Sequence, residues 1–334
     1  MTRLQQIFRS RLLRVMLVLL LVVLASDLAV GLAQPLLPRP LSWYSYWAQT
    51  KADEMSQMQR NGAEIDLVFV GSSVVIAALN PEVFTESSAC ELTAYNGAIA
   101  GATMRGLDHW TETIVVPSLN PSTVVIGVTS RDISTESGFF ADAYFSSSAL
   151  REDLGARFDR TIARFSNIVR YRSVLRDPSR LKANLDRMRG APQESWDTTV
   201  LGWRASPANV GYTLGNFRQA EADLELGTSQ IEALEALVDG LLDQGILVVL
   251  VDMAVSDDYP RLRHPAGTYP DYQEDLRNLA ERMQADYVDL TEFDDQGLFV
   301  DPLHVNIEGS MLETRKLAMD LSKSVCAAQG RRGG

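Results

Sequence analysis

Histidine and cysteine are scarce: three His and two Cys occur in 334 residues. The histidines, His109, His264 and His304, are widely spaced, no H-E-x-x-H occurs, and no Cys/His cluster has zinc-ligand spacing, so no metal site is expected. His109 falls inside a helical pattern with no co-ligand beside it, which marks it as a surface or packing residue. No Gly-rich loop of P-loop form is present either, so phosphate chemistry lacks its usual cradle, and no cofactor is implied. Positive charge is short as well. Lys and Arg number 31 against 43 Asp and Glu, a net charge of −12. Four arginines and one aspartate give residues 1–33 a charge of +3, so the remainder carries −15. A body this acidic repels phosphate backbones, and nucleic acid is not an expected partner. Internal repeats and low-complexity tracts are missing. With 46% hydrophobic residues, the length supports one large α/β domain plus an appendage.

Long apolar runs are confined to the N-terminus. Arg3, Arg9, Arg11 and Arg14 precede Val15 to Ala25, and a second apolar piece runs from Leu28 to Ala33. As one helix, Leu12 to Ala33 is long enough to span a bilayer with the arginines on the cytoplasmic side. The other reading is a signal peptide cleaved after Ala33. Both readings export the rest of the chain. The anchor is preferred because no A-x-A box ends the run. Asp27, two-thirds of the way across, either demands a partner in the membrane or lies hydrated near the outer interface, the simpler account. Export suits pairing of Cys90 with Cys326; two separate buried thiols are the alternative. Pro35, Pro38 and Pro40 make a stiff exit, and Trp43, Tyr44 and Trp47 suit the headgroup zone or pack on the body.

The body is organised around Ile65 to Val75. Leu67-Val68-Phe69-Val70 is too continuously apolar for a half-exposed strand, so it reads as a buried strand of a parallel sheet. It ends at Gly71-Ser72-Ser73, which presents two hydroxyls at the carboxyl end of the strand, where open α/β sheets place ligands. Further strands are expected at Leu92–Tyr95, Thr123–Val128, Ile246–Met253 and Tyr287–Leu290. Helices are expected at Ala102–Leu119, Thr228–Gln244, Tyr269–Ala285 and Glu308–Cys326. This alternation predicts an α/β fold, a mostly parallel sheet of about five strands covered on both faces. Residues 134–226 break the pattern. They hold Phe139, Phe140, Tyr144 and Phe145, an arginine-rich amphipathic stretch from Leu150 to Arg189, then Trp196, Trp203, Tyr212 and Phe217, and are expected to form a cap over the site. The loop with Asp257, Asp258, Arg261, Arg263 and His264 is a candidate for the substrate entrance.

Late in the chain Asp301-Pro302-Leu303-His304 offers a carboxylate and an imidazole three apart, and with a serine at a strand-to-loop turn these supply the inventory for nucleophilic acyl transfer. Val70-Gly71-Ser72-Ser73 resembles the first block of the SGNH (GDSL-type) hydrolases. Asp301 to His304 is similar to their last block. Tyr95-Asn96-Gly97-Ala98-Ile99-Ala100-Gly101 is similar to their second. The third departs, since Gly127-Val128-Thr129-Ser130-Arg131-Asp132 has Arg131 where the family's oxyanion Asn stands.

The resemblance covers residues 63 to 326 and implies a three-layer α/β/α sandwich of flavodoxin-like form. It also implies Ser73 as nucleophile, His304 as base and Asp301 as its orienting acid. The backbone N–H groups of Ser73 and Gly101 would form the oxyanion hole, with Arg131 or Ser130 replacing the Asn, unless Arg131 simply pairs with Asp132. Ser72 and Asn96 are candidates to contact substrate. An anchored, outward-facing member resembles proteins that act beside membrane-bound O-acyltransferases on cell-envelope glycans, so an acylated glycan or small ester is the expected substrate and such an acyltransferase a possible partner. A module without activity that binds glycan or scaffolds an acyltransferase complex is the alternative. The expected organisation is an anchor at 1–34, a linker and juxtamembrane helix at 35–62, the hydrolase-like domain at 63–326 and a disordered tail at 327–334.

Overall fold

The apolar strands lie side by side in the computed structural model, which describes residues 3–33, 43–90, 92–134, 162, 165–175, 201–204, 212–214, 227–264 and 268–332. In chain order the elements are α1 (Arg3–Leu32), α2 (Trp43–Arg60), β1 (Leu67–Val70), α3 (Ser73–Ala78), α4 (Pro81–Ser87), β2 (Ala94–Asn96), α5 (Met104–Trp110), α6 (Val116–Leu119), β3 (Thr123–Val128), α7 (Asn167–Leu175), α8 (Thr228–Asp243), β4 (Leu247–Asp252), α9 (Asp258–Arg263), α10 (Tyr269–Arg282), β5 (Asp286–Asp289) and α11 (Ile307–Arg332). The chain divides into two units. Residues 1–46 and 146–196 form one; residues 47–145 and 197–334 form the other.

In the second unit the sheet order is β2-β1-β3-β4-β5, and every pairing is parallel. Successive strand residues point to opposite faces. Leu67, Phe69, Val125, Val249 and Val251 therefore share a core with Val74 and Val75 of α3, Phe84 of α4, and Leu317 and Leu321 of α11. Val68, Val124, Ile126, Val248 and Leu250 are buried on the other side. Phe69 and Phe84 meet edge to face with ring centroids 5.2 Å apart. Because the chain goes from β1 to β2 on one side and then crosses to β3 on the other, the strand order reverses at β1/β3, and the carboxyl ends of those strands flank the crevice such folds use for ligands.

Two expected helices differ from the sequence reading. The helix from residue 104 to 119 carries a π-helical turn at Thr111–Val115, just before Pro117, which has no N–H to continue the ladder. α11 runs on to Arg332, over residues expected to be a disordered tail. Cys90 and Cys326 are bridged, which joins the end of α4 to α11. Of the expected cap, the described residues 162 and 165–175 belong with α1 in the first unit, and most of the rest lies outside the described residues. Its ends meet, since Gly227 N–H donates to Ile133 O at 2.8 Å. The residues of its far part that are described, 201–204 and 212–214, belong to the second unit. Trp203 Nε1 donates to Ala77 O, and Thr213 N–H to Val300 O. Phe139, Phe140, Tyr144, Phe145, Trp196 and Phe217, and the prolines at 35, 38 and 40, lie outside the described residues.

In the first unit, α1 includes Leu13–Leu32, a 20-residue stretch of mean hydropathy 2.7, long and apolar enough to cross a membrane. Asp27 in α1 is partly exposed. Its carboxylate is taken up by the insertion: Oδ1 accepts from Ser166 Oγ at 2.6 Å and from Ile168 N–H at 2.9 Å, and Oδ2 from Asn167 Nδ2 at 3.2 Å.

Candidate active site

Strand β1 delivers Ser73 at its carboxyl end through Gly71. A Cβ on Gly71 would stand 2.4 Å from Val75 Cγ2 and 2.8 Å from Gly127 O, so only glycine lets the chain turn against β3 here. Ser73 then opens α3, and the first N–H groups of a helix have no partner within it. His304 comes from 231 residues away. Two features hold it there. Asp301 Oδ1 accepts the backbone N–H of Leu303 and of His304, both at 2.9 Å, a carboxylate turn that needs only four consecutive residues. Behind it, α11 is tied to the end of α3: Ser310 Oγ and Thr314 Oγ1 both donate to Ala78 O, at 2.8 and 3.0 Å.

The three expected side chains meet. Ser73 Oγ lies 2.8 Å from His304 Nε2, and His304 Nδ1 lies 2.8 Å from Asp301 Oδ2 and 3.0 Å from Oδ1. The carboxylate flanks Nδ1, so the proton belongs on Nδ1 and Nε2 faces the serine as an acceptor. Burial opposes the charge on Asp301, but the hydrogen bonds and charge of His304 and the amides of Leu303 and His304 outweigh it, and its pKa is held below the ordinary carboxylate value.

The loop after β2 passes beside the serine turn. Gly97 N–H donates to Phe69 O at 2.8 Å and Ile99 N–H to Gly71 O at 2.9 Å, with Gly101 two residues further on at a left-handed φ of +72°. Asn96 is not available to a substrate. It is fully buried, with Nδ2 donating to Val75 O and Leu79 O at 2.9 and 2.8 Å and Oδ1 accepting from Ala98 N–H, so it bolts β2 to the serine helix. Ser72 is likewise buried and hydrogen-bonds to Asp132, which places it in support of the loop and not on the substrate. Asp132 also accepts from Thr129 N–H at 2.9 Å and Thr129 Oγ1 at 2.8 Å. Burial raises its pKa, while Thr129, Ser72 and the charge of Arg131 partly counter that. Arg131, half-buried, stands close enough to Asp132 for its charge to act on that carboxylate. Ser130 is withdrawn too: fully buried, its Oγ lies 3.1 Å from Tyr259 Oη and 2.9 Å from His264 Nε2. Arg263 and His264, expected at the substrate entrance, are buried.

Lys51 was not read as a site residue. It lies in α2, within the segment expected to be a linker and juxtamembrane helix, and it is 2% exposed, with its Nζ donating to Asn96 O at 2.7 Å and Ala98 O at 2.6 Å. Burial pushes its pKa down to about 7, against the pull of Glu54. Trp110 Nε1 adds a third hold on the same loop, donating to Gly97 O at 2.9 Å. The sequence signal was faint: a lysine amid Ala48, Ala52 and Met55 on an otherwise polar helix. Among the described residues no three His, Cys, Asp or Glu side chains gather as a metal site.

No protein-family model matches the chain, and no curated protein matches it. Solved structures do. The lipase/acylhydrolase from Enterococcus faecalis is 12% identical with a TM-score of 0.41, over 78% of this chain and 97% of that one. A catalytic mutant of Axe2, an acetylxylan esterase from Geobacillus stearothermophilus, is 13% identical with a TM-score of 0.41, over 77% of this chain and 94% of that one. The acetyl xylan esterase AlAXEase is 14% identical with a TM-score of 0.38, over 77% and 100%. These are likenesses of chain path, and the chemistry below rests on side-chain geometry.

Proposed function

We propose that the protein is a serine esterase or O-acyltransferase, anchored by α1 and facing away from the cytoplasm, that acts through an acyl-serine on an acylated cell-envelope glycan or small ester. The observation that carries this is the unbroken relay from Ser73 Oγ through His304 to Asp301, with both links at 2.8 Å. Ser73 Oγ attacks the ester carbonyl while its proton passes to His304 Nε2, and Asp301 stabilises the resulting imidazolium. Negative charge on the carbonyl oxygen is met by the N–H groups of Ser73 and Gly101, each such donor commonly being worth about 10²–10³ in rate. His304 then gives the proton to the leaving alkoxide, which departs and leaves the acyl group on Ser73. A water, or a sugar hydroxyl deprotonated by the same imidazole, attacks the acyl-serine and completes hydrolysis or transfer.

Hydrolysis and transfer share every step but the last, so the acceptor separates them. A membrane-bound O-acyltransferase is the partner that would supply acyl groups to such a tethered enzyme. The test uses the full chain, a chromogenic acetyl ester and a fluorophosphonate probe. Turnover and labelling of Ser73, both lost in Ser73→Ala and His304→Ala, are expected; Ser72→Ala should weaken turnover only in part. Labelling of Ser72, or of Ser73 without His304, would overturn the relay. Added oligosaccharide acceptor distinguishes the outcomes, because a transferase makes acylated sugar at the expense of free acetate.

A further inference from the structure

The turn that follows β3 is closed from within. Asp132 N–H donates to Thr129 O at 2.9 Å, and the Asp132 carboxylate takes Thr129 N–H and Thr129 Oγ1 in return. Ser134 Oγ donates to Arg131 O at 2.9 Å, which fixes the backbone at the tip. Ser130 is spent on Tyr259 and His264. Of residues 129–134 all are buried but Arg131, which stays partly open to solvent. A closed turn thus offers one side chain outward, and it is a cation.

Asp132 also fixes where that cation stands. It bonds to Ser72, the chain neighbour of Ser73, so the turn lies against the serine loop at the carboxyl ends of β1 and β3, in the crevice where the strand order reverses. Among the described residues the Arg131 guanidinium donates no hydrogen bond and forms no ion pair. Its charge acts on Asp132 and on Tyr259, but the Asp132 carboxylate is already committed to Ser72 and Thr129, and burial raises its pKa, so it is an incomplete counter-ion. The five donors of a planar fork remain for solvent or substrate.

Preorganisation separates the two roles open to such a cation. An oxyanion donor must stand fixed where charge develops, whereas no hydrogen bond holds this guanidinium in place. A carboxylate brings two acceptors of its own and matches the fork bidentately, so it orders the side chain as it binds. Resting on the esterase reading above, we infer that Arg131 is a specificity residue of the same site, selecting esters that carry a carboxylate beside the ester bond. The carboxylate belongs either to an acidic sugar of the glycan or to the acyl chain itself. In a chain of net charge −12 the long-range field repels such an anion, so discrimination depends on this contact.

The experiment measures kcat and KM of the full chain on two matched pairs: an acetylated methyl glucuronide against the acetylated methyl glucoside, and the 4-methylumbelliferyl monoester of adipic acid against the heptanoate. In one pair the acid should be favoured about tenfold in kcat/KM, as a charge-assisted hydrogen bond at a partly exposed position supplies, and the pair that responds locates the carboxylate. Arg131→Gln should bring the acid down to its neutral partner, chiefly through KM, and Arg131→Lys should keep part of the preference because it retains charge without the fork. No preference in either pair, or one that survives Arg131→Gln, overturns the inference. So does an equal loss of kcat on acid and neutral esters, which makes Arg131 an oxyanion donor or a counter-charge to Asp132. If Arg131→Gln does not fold, the wild-type preference and Arg131→Lys decide. Fluorophosphonate labelling of Ser73 in the same samples separates the two readings. Labelling without preference overturns this inference alone; absence of both labelling and turnover overturns the esterase reading with it.

Discussion

Two loops flank Ser73 in the candidate site, and they are held in opposite ways. The loop at residues 299–305 is largely wired to itself: Asp301 takes the amides of the two residues nearest in reach, His304 O accepts from Val300 N–H at 2.9 Å, and Phe299 bridges Val305. The loop at residues 96–101 is held from outside. Lys51 binds two of its carbonyls from 45 and 47 residues away, and Trp110, Phe69, Gly71 and Leu201 take other backbone groups. A short acidic residue placed before its own amides makes a local structure cheaply, whereas a glycine- and alanine-rich loop has few side chains with which to brace itself and takes most of its partners from elsewhere. The first kind of loop is legible in four letters of sequence. The second is not.

Substitutions that keep or remove these wires sharpen the contrast. Asp301→Asn keeps an oxygen for the amides of Leu303 and His304 but removes the charge that orients the imidazole, so the loop should stay folded while turnover falls by about 10⁴-fold. Unchanged melting with collapsed kcat is the expected pair of readouts; equal loss of both would show that the loop depends on the charge itself. Lys51→Met acts from the other side. Freed carbonyls at Asn96 and Ala98 should let the Gly101 N–H drift, lowering kcat by about 10²-fold, the worth of one oxyanion donor, with KM little changed. A change confined to KM would mean that Lys51 braces substrate and not the hole.

Asn96→Ala tests the bolt between β2 and α3. It leaves Val75 O and Leu79 O buried without their donor and should destabilise the second unit by about 1–3 kcal/mol in denaturant unfolding. A further expected effect is one of pH. Lys51 is pushed down to about 7 by burial, from an ordinary value of 10.5, so between these values the unfolded chain holds a proton that the folded chain releases. Stability contributed at this position must therefore rise with pH across that window and level off below it. The stability of the wild type relative to Lys51→Met should rise in the same sense, and a flat difference would place the pKa of Lys51 in its usual range.

Much of the architecture could be read from the sequence because the central strands were almost continuously apolar runs, the composition that strands covered on both faces require. β1 and β3 lie where the runs predicted. Glycine and serine after β1, and aspartate three before histidine, likewise follow local rules. Where those rules stop, the reading stopped. Asn96 looked like a ligand-facing residue because polar side chains at strand ends often are, yet three backbone groups claim it. Lys51 drew no attention because nothing in its neighbours says which carbonyls will come to it.

The same division separates the two halves of the insertion. An excess of arginine between residues 151 and 189 is plain in the sequence, as is an aspartate stranded in an apolar helix. That Asp27 caps α7 was not, since the two stretches are about 140 residues apart. By itself, then, the sequence determined which segments must be buried, which turns must bend, and which residue types could carry acyl chemistry, because burial, turn formation and reactivity depend on residues and their near neighbours. Only the tertiary structure decided which distant charges satisfy which backbone groups, because a buried polar atom takes whichever partner the fold brings within 3 Å, however far off in the chain it lies.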